Sequence, residues 1–228
     1  MKKEIFGIKF DDLTIDEVLT KIRGFVVLPY SEFIVRAQKD REFREILNKA
    51  DFCLCEGRGL WLMTRLLGKK LKEPINGIEL INKLKGKIFL FGGEEDVVKK
   101  TADRLGESVI GWEHGYQDLD KIIKKINKVK PEILLVGLGS PKQEKWIYKN
   151  LRKMPSVKVA IGVGGAFDFI SGEIKRAPRF IQKIGLEWLW RLILQPWRIK
   201  RISKGVIGLS WLTFKNMLLL RKQEKQRS

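Results

Sequence analysis

Three glycine-rich segments follow apolar runs in this sequence, and each could bring the backbone close to a phosphate. They begin at Gly92, Gly137 and Gly162. Glycine lets the chain approach a ligand closely, and a helix that starts there offers unpaired N–H groups to an anion. None of the segments matches a Walker loop or a G-x-G-x-x-G fingerprint, which disfavours ATP and NAD. Three of them on one edge of a sheet predict a nucleotide- or phosphate-sized site, although a glycine turn can also simply connect two elements.

Polar side chains stand beside these segments. Gln143 lies in the first turn of a helix predicted after the second segment, and Asp168 follows the third segment. Either could contact a sugar or a nucleotide. The simpler alternatives are a surface helix residue for Gln143 and a turn cap for Asp168. His114 is the only histidine, and a lone histidine is more often structural than catalytic.

Two patterns could hold a metal ion, but both have simpler interpretations. Asp118-Leu-Asp120 spells the D-x-D of metal-dependent sugar-nucleotide enzymes, yet it precedes a predicted helix over 121–130, where carboxylates are favourable anyway. Cys53 and Cys55 lie on one face of a predicted strand, with no second Cys pair and no nearby His to complete a ligand set. We interpret the cysteines as buried thiols, and the aspartates as either a metal-binding pair or a helix cap.

The elements that would position these residues alternate between strand and helix from residue 3 to about 165. The strand candidates are Ile5–Lys9, Phe25–Leu28, Phe52–Cys55, Lys87–Phe91, Ser108–Trp112, Ile133–Gly137 and Lys158–Val163. Continuous apolar runs are typical of strands covered on both faces, and apolar residues at three-to-four spacing between them predict helices. Asp12 and Thr14 suit the start of the first helix, and Gly24 its end. The pattern predicts an α/β fold with a mainly parallel, open sheet, helices on both faces and ligands at the carboxyl ends of the strands.

The positive charge is concentrated at the C-terminal end. The chain has a net charge of +19, and residues 175–228 hold fourteen Lys and Arg against two Glu, with four of the seven Trp. Such a field attracts polyanions, which include nucleic acid, anionic lipid and a pyrophosphate-bearing substrate. No strand pattern appears in this part. We predict a core over 1–172 and a helical, basic, Trp-rich appendage over 173–228.

The appendage has the composition of a segment that lies on a membrane. Trp prefers the bilayer interface, and Lys and Arg are attracted to anionic lipid. The apolar stretch Gly205–Leu220 contains Lys215 and falls short of the ~18–20 apolar residues that span a bilayer. Because the N-terminus also lacks the pattern of a signal peptide, we expect a cytoplasmic protein, peripheral on the inner face of the cell membrane. The alternative is that these helices pack on the core, or on a neighbouring subunit of a homo-oligomer.

The glycine-rich segments and their flanks belong to longer motifs. The longest is Pro131-Glu-Ile-Leu-Leu-Val-Gly-Leu-Gly-Ser-Pro-Lys-Gln-Glu-Lys-Trp146, and the others are Ile161–Phe169, Lys175–Arg179, Gly185–Leu189, His114–Tyr116, Phe91–Gly93 and Arg65–Lys69. Together they resemble the signature of the WecG/TagA/CpsF glycosyltransferases over about residues 25–201. The resemblance implies a Rossmann-like core and an appendage that completes the active site at the membrane. It also implies transfer of an N-acetylmannosamine-type or related sugar from a UDP donor to a polyprenyl-diphosphate-linked acceptor, with inversion and without a metal or other cofactor. This implied absence of a metal favours the helix cap as the role of Asp118 and Asp120.

The resemblance assigns roles to particular residues. The family's base is an Asp in a Pro-Asp-Gly-x-Gly turn, and Glu56 stands in that place here; its alternative role is a first-turn acid of the helix predicted at 58–67. Inversion needs such a base and positive groups that stabilise the leaving diphosphate. The residues implied to bind donor or substrate are Gly92, Gly93, His114, Gly139, Gln143, Gly165 and Asp168. Those implied to bind diphosphate are Arg191, Arg198 and Arg201.

The chain also departs from the family pattern. Leu28-Pro29-Tyr30 stands where Thr-Pro-Asn is common, and Pro74 stands where an Arg is expected. Glu56 itself is one methylene longer than Asp, and a misplacement on the order of 1 Å can cost ~100-fold in rate. A non-catalytic, membrane-associated scaffold with a decayed site is therefore the alternative function. A nucleic-acid-binding module is disfavoured because the aromatics lie in long apolar stretches and no helix-turn-helix, RRM or zinc pattern appears.

Overall fold

A parallel six-stranded sheet lies at the centre of the protein, in a computed structural model that describes residues 2–183 and 186–225. The strands are β1 (Lys2–Ile5), β2 (Ile8–Asp11), β3 (Gly24–Val27), β4 (Phe52–Cys53), β5 (Ile88–Gly92), β6 (Val109–Glu113), β7 (Ile133–Gly137) and β8 (Val159–Gly162). The order in the large sheet is β4-β3-β8-β7-β5-β6, and its neighbouring strands all run parallel. The predicted parallel, open sheet is therefore confirmed.

Helices cover both faces of this sheet. They are α1 (Ile15–Lys21), α2 (Ser31–Ala37), α3 (Arg41–Asn48), α4 (Arg58–Leu66), α5 (Gly77–Lys83), α6 (Glu95–Leu105), α7 (Leu119–Val129), α8 (Lys142–Asn150), α9 (Ala166–Ile170), α10 (Arg179–Lys183), α11 (Glu187–Leu194) and α12 (Ile199–Lys225). Short 3-10 turns occur at Gly106–Ser108, Leu151–Lys153 and Pro196–Arg198.

The apolar strands divide their side chains between two cores. In β5, Phe89 and Phe91 pack with α2, α3, α7 and α8, whereas Ile88 and Leu90 pack with α1, α5, α6 and α9. Successive side chains on a strand point to opposite faces, so a strand buried on both sides must be apolar at every position. This requirement explains the continuous apolar runs. Cys53 and Cys55 are both buried in the first of these cores as free thiols, as predicted.

The N-terminal segment is a hairpin, and the prediction of one strand over Ile5–Lys9 was wrong. β1 and β2 pair antiparallel, with Ile5 opposite Ile8, and Phe6 and Gly7 form the turn with φ of 53° and 75°. A two-residue turn with both φ values positive matches the twist of the strands that it joins. The first helix begins after Thr14, one of the two predicted starts, and the side chains of Thr14 and Glu17 form a capping box. It ends at Lys21, however, and Gly24 opens β3 instead.

The long last helix packs one side against the core. Gly205 lies against the backbone of Glu32 in α2, and Gly208 lies against Val35, so that a Cβ at Gly208 would be 2.7 Å from a Val35 methyl. Leu209 and Thr213 are buried on the same side of α12. The other side exposes Ile207, Trp211, Phe214 and Leu218. Among the described residues, no helix combines the length and the hydropathy needed to span a bilayer. The division at residues 172 and 173 stays a prediction.

Candidate active site

The glycine segments that follow β5, β7 and β8 interlock at the carboxyl edge of the sheet. The N–H of Gly93 donates to the carbonyl of Gly137 at 3.1 Å, and the N–H of Gly115 donates to that of Gly93 at 2.9 Å. Gly92 has φ of +118°, and a Cβ there would lie 2.5 Å from the carbonyl carbon of Gly137. Only glycine fits so close a backbone contact. These segments thus share one edge, where parallel α/β sheets bind ligands.

Gln143 joins two of these segments from inside the protein. Its Oε1 accepts from the N–H of Gly139 at 3.1 Å and from that of Gly164 at 2.9 Å. Its Nε2 donates to Oε1 of Glu144 at 2.6 Å. The side chain is buried, which contradicts the alternative of a surface helix residue. Protein groups engage both ends of the amide, and Gln143 therefore holds the loops after β7 and β8 together.

Glu56 lies at this edge, in the turn between β4 and α4. Its N–H donates to the carbonyl of Pro29 at 2.9 Å, and the residue forms a parallel bridge with Ile75. The carboxyl occupies the space that a side chain would take at Gly77, where a Cβ would be 2.6 Å from Oε1 of Glu56 and 3.1 Å from Leu28. The alternative of a first-turn acid does not hold, because α4 begins after Gly57 and has no acidic residue in its first turn.

The environment of Glu56 suits a base that works near neutral pH. Burial of the carboxyl raises its pKa to about 7, opposed by a hydrogen bond from the backbone of Gly77. The negative charge of Glu187 raises this pKa further, and the positive charge of Arg191 lowers it. Both of these residues belong to α11, so the appendage contributes charge directly to the surroundings of Glu56. A pKa near the working pH is what general base catalysis requires.

Arg191 and Asp168 face each other at the same edge. Nη2 of Arg191 lies 3.7 Å from Oδ2 of Asp168, and the guanidinium stacks over the ring of Phe169 at 4.9 Å from its centroid. The guanidinium occupies the space beside Gly165 that a side chain would fill. Nη2 is buried and has no hydrogen-bond partner among the described residues. A guanidinium with such an unused donor can bind an anionic oxygen of a ligand.

The remaining candidates lie farther along the edge or outside the described residues. Nδ1 of His114 accepts from the N–H of Tyr116 at 3.2 Å, and the ring lines an open cavity of about 520 Å³ together with Trp112 and Lys125. The side chains of Arg198 and Arg201 lie outside the described residues, as do Gly185 and the side chain of Asp120. Their predicted roles therefore stay predictions.

The D-x-D motif stands where a helix cap is expected. Asp118 immediately precedes α7, and its carbonyl accepts from the N–H of Ile122. No group of three or more His, Cys, Asp or Glu that could hold a metal ion occurs in the described part of the chain. The placement of Asp118 agrees with its interpretation as a cap, whereas Asp120 lies within the first turn of α7.

Two departures from the family pattern serve as packing residues. Leu28 is buried in the core that contains Leu54 and Ile75, beside Glu56. The Tyr30 ring packs at a tilt against Phe33 with ring centroids 4.9 Å apart, and its hydroxyl donates to Glu32 at 3.2 Å. Leu28 therefore packs behind Glu56, and Tyr30 packs against α2.

Sequence reasoning missed three residues of this site. Gly77 makes room for the Glu56 carboxyl, Glu187 adds negative charge near it, and Glu144 binds the amide of Gln143. Glu144 and Glu187 lie inside the motifs at 131–146 and 185–189, which was the available signal. Their neighbours in space come from other parts of the chain, so spacing alone could not identify their roles.

Comparisons with known proteins identify the family of this chain. A family model described as the glycosyl transferase WecG/TagA/CpsF family matches residues 3–223. Three curated relatives carry the name N-acetylglucosaminyldiphosphoundecaprenol N-acetyl-beta-D-mannosaminyltransferase. The one from Bacillus subtilis (strain 168) is 36% identical over 195 residues, covering 80% of this chain and 76% of the relative. The one from Bacillus spizizenii is 34% identical, covering 78% and 74%, and the one from Staphylococcus aureus (strain NCTC 8325) is 30% identical, covering 89% and 88%. With the match extending over nearly the whole chain, this protein belongs to the WecG/TagA/CpsF family of glycosyl transferases.

Proposed function

We propose that this protein transfers an N-acetylmannosamine-type or related sugar from a UDP donor to a polyprenyl-diphosphate-linked sugar, early in the synthesis of a cell-surface polysaccharide or teichoic acid. The observation that carries the proposal is the meeting of Glu56, Asp168 and Arg191 at the carboxyl edge of the sheet. The names of the three relatives support the choice of substrates, since they describe a mannosaminyl transfer to a GlcNAc-diphosphoundecaprenol.

The proposed reaction is a single displacement that inverts the anomeric centre. An acceptor hydroxyl oxygen attacks the anomeric carbon while the bond from that carbon to the β-phosphate oxygen of UDP breaks. Glu56 takes the hydroxyl proton, and the departing UDP keeps the electron pair. Arg191 stabilises the charge that develops on the diphosphate, and the glycine segments admit the donor to the edge. No step requires a metal ion or other cofactor in this proposal.

The lipid part of the acceptor has a matching apolar surface. A cleft of about 210 Å³ between α10 and α11 is lined by Phe180, Ile181, Leu186, Leu189, Trp190 and Ile193. Trp190, which lines this cleft, immediately precedes Arg191 in α11. One helix therefore carries both a cation and part of an apolar cleft, and this combination supports an acceptor that has a diphosphate and a hydrocarbon chain.

The direct test is a transfer assay with a panel of radiolabelled UDP-sugars and a lipid-diphosphate-GlcNAc acceptor, with and without EDTA. We expect turnover with one donor, at the same rate with EDTA, because carboxylate and guanidinium groups supply the proposed chemistry. Turnover that EDTA abolishes would contradict the metal-free mechanism. A folded protein that binds no UDP-sugar and transfers none would favour the alternative scaffold with a decayed site.

We also propose that the exposed side of α12 rests on the membrane surface. Trp211 is 64% exposed on that side and lies near Phe214, and an exposed Trp can insert at the lipid interface. Trp211→Glu is expected to weaken binding to phosphatidylglycerol-containing vesicles about tenfold or more in a sedimentation assay, since it removes the apolar burial and adds a repelled charge.

A matched control is Tyr148→Glu, which makes the same change of charge at an exposed aromatic residue of α8. It should bind vesicles like the unaltered protein. Equal binding by Trp211→Glu would place the membrane contact elsewhere on the molecule.

A further inference from the structure

Glu144 is the most deeply buried acidic side chain at the active-site edge, and the proposed reaction does not use it. It lies in the first turn of α8 with 1% of its surface exposed. Its Oε1 accepts from Nε2 of Gln143 at 2.6 Å, and no hydrogen-bond partner of Oε2 occurs among the described residues. Burial raises the pKa of this carboxyl to about 7, and the hydrogen bond from Gln143 and the positive charge of Arg36 in α2 oppose that rise. Burying a carboxyl is costly unless its interactions compensate, which calls for a functional explanation.

The contact with Glu144 determines which way the Gln143 amide points. Oε1 of Gln143 accepts from two N–H groups, those of Gly139 and Gly164. If the amide turned over, its NH₂ group would face these two donors and its oxygen would face the Glu144 oxygen. Every one of those contacts would be donor against donor or acceptor against acceptor. Glu144 offers only acceptor atoms when it is ionised and then excludes the reversed orientation, and the two glycine N–H groups oppose that orientation at any pH.

Gly162 leaves free the space that the side chains of Gln143 and Glu144 occupy. A Cβ at Gly162 would lie 2.7 Å from Nε2 of Gln143 and 2.9 Å from Oε1 of Glu144. The two side chains therefore use the space beside the end of β8 that any other residue type would fill. The same loop continues from Gly164 to Gly165, against which the guanidinium of Arg191 lies.

We propose that Glu144 is a positioning residue of the active site. It fixes the orientation of the Gln143 amide, and this amide holds the segments after β7 and β8 at the spacing that Asp168 and Arg191 need. Glu144 touches neither substrate in this arrangement and acts through Gln143. The kinetic consequence rests on the proposed glycosyl transfer, whereas the structural consequence does not.

The structural test is amide hydrogen exchange in protein labelled with ¹⁵N-glycine. In Glu144→Leu, which lacks an acceptor, the N–H groups of Gly139 and Gly164 should exchange about tenfold faster, because the acceptor that protects them is no longer held in place. Gly93 and Gly115 donate to backbone carbonyls and serve as internal controls that should not change. Glu144→Gln keeps an oxygen that can accept from Gln143, so it should restore protection at both glycines.

Unchanged exchange at Gly139 and Gly164 in folded Glu144→Leu would overturn the proposal, as would equal acceleration at all four glycines. If the leucine variant does not fold, Glu144→Asp serves as the test variant in its place, since it keeps the charge but withdraws the acceptor by one methylene.

In the transfer assay, we expect the leucine variant to raise the donor KM about tenfold with a smaller change in kcat, and Glu144→Gln to reverse this. Selective exchange at the two glycines without any transfer activity in the unaltered protein would support the positioning role and refute the proposed reaction.

Discussion

Replacing Glu56 by Gln is expected to lower kcat by about 10³-fold or more while leaving the affinity for UDP nearly unchanged. Gln has the shape of Glu but cannot take a proton, and general base catalysis contributes about 10²–10⁴-fold. The leaving diphosphate is assigned to Arg191, which this change leaves in place. The measurements are kcat with the accepted donor and the dissociation constant of UDP by calorimetry. Undiminished turnover would remove Glu56 from the mechanism.

The pH dependence follows from the same carboxyl. Burial raises the pKa of Glu56 to about 7, and only the ionised form can act as base, so the rate should fall about tenfold per pH unit below that value.

A raised pKa in the folded state also means that the Glu56 carboxyl stabilises the protein less as pH rises through about 7. Above pH 7, Glu56→Gln should therefore melt at a higher temperature than the unaltered protein although it is inactive.

Gly77 provides a second way to displace the base. Gly77→Ala would place a Cβ 2.6 Å from Oε1 of Glu56, so the carboxyl must move. The Gly77→Ala variant should therefore lose activity, as the Glu56→Gln variant does. Gly59→Ala is the control, because a Cβ there meets nothing within 4 Å and alanine is favourable inside α4. Equal activities of the two alanine variants would show that the exact position of the carboxyl is unimportant.

Replacing Arg191 by Met is expected to lower kcat/KM by about 10²–10³-fold. Its Nη2 is a buried donor without a hydrogen-bond partner in the described part of the chain, and removing one such donor to a developing anion costs about this much. Arg191→Lys should lose less, because it keeps the charge but not the planar fork that suits a phosphate. Since Arg191 lowers the pKa of Glu56, the acid limb of the rate profile should also move to higher pH in the Met variant.

The Lys204→Met variant tests whether Arg191 acts locally on the leaving diphosphate or only through the positive charge of the appendage. Lys204 is exposed on α12, and its loss changes the net charge by the same amount. We expect nearly unaltered kinetics for this variant. If Lys204→Met and Arg191→Met reduced kcat/KM equally, the appendage would act only through its overall charge, and Arg191 would have no specific role.

The sequence by itself determined the architecture and the family. Apolar runs such as Ile133–Gly137 must be covered on both faces, which predicts a parallel sheet between two layers of helices. Thr14 suits the start of a helix by its residue type, and it caps α1. These features depend on residues that are near one another in the chain, so periodicity and spacing are enough to predict them. The hairpin at Phe6 and Gly7 was missed because an apolar turn residue gives no signal of its own.

Only the tertiary structure decided how the site is assembled. Glu56, Gly77 and Arg191 come from distant parts of the chain, and the crossovers of the sheet and the packing of the appendage bring them to one edge. Gln143 carries the polarity of a surface residue, yet two loop N–H groups and Glu144 satisfy its amide in the interior. Burial and partners that are remote in sequence set both the pKa of a carboxyl and the orientation of an amide, and spacing along the chain does not encode them.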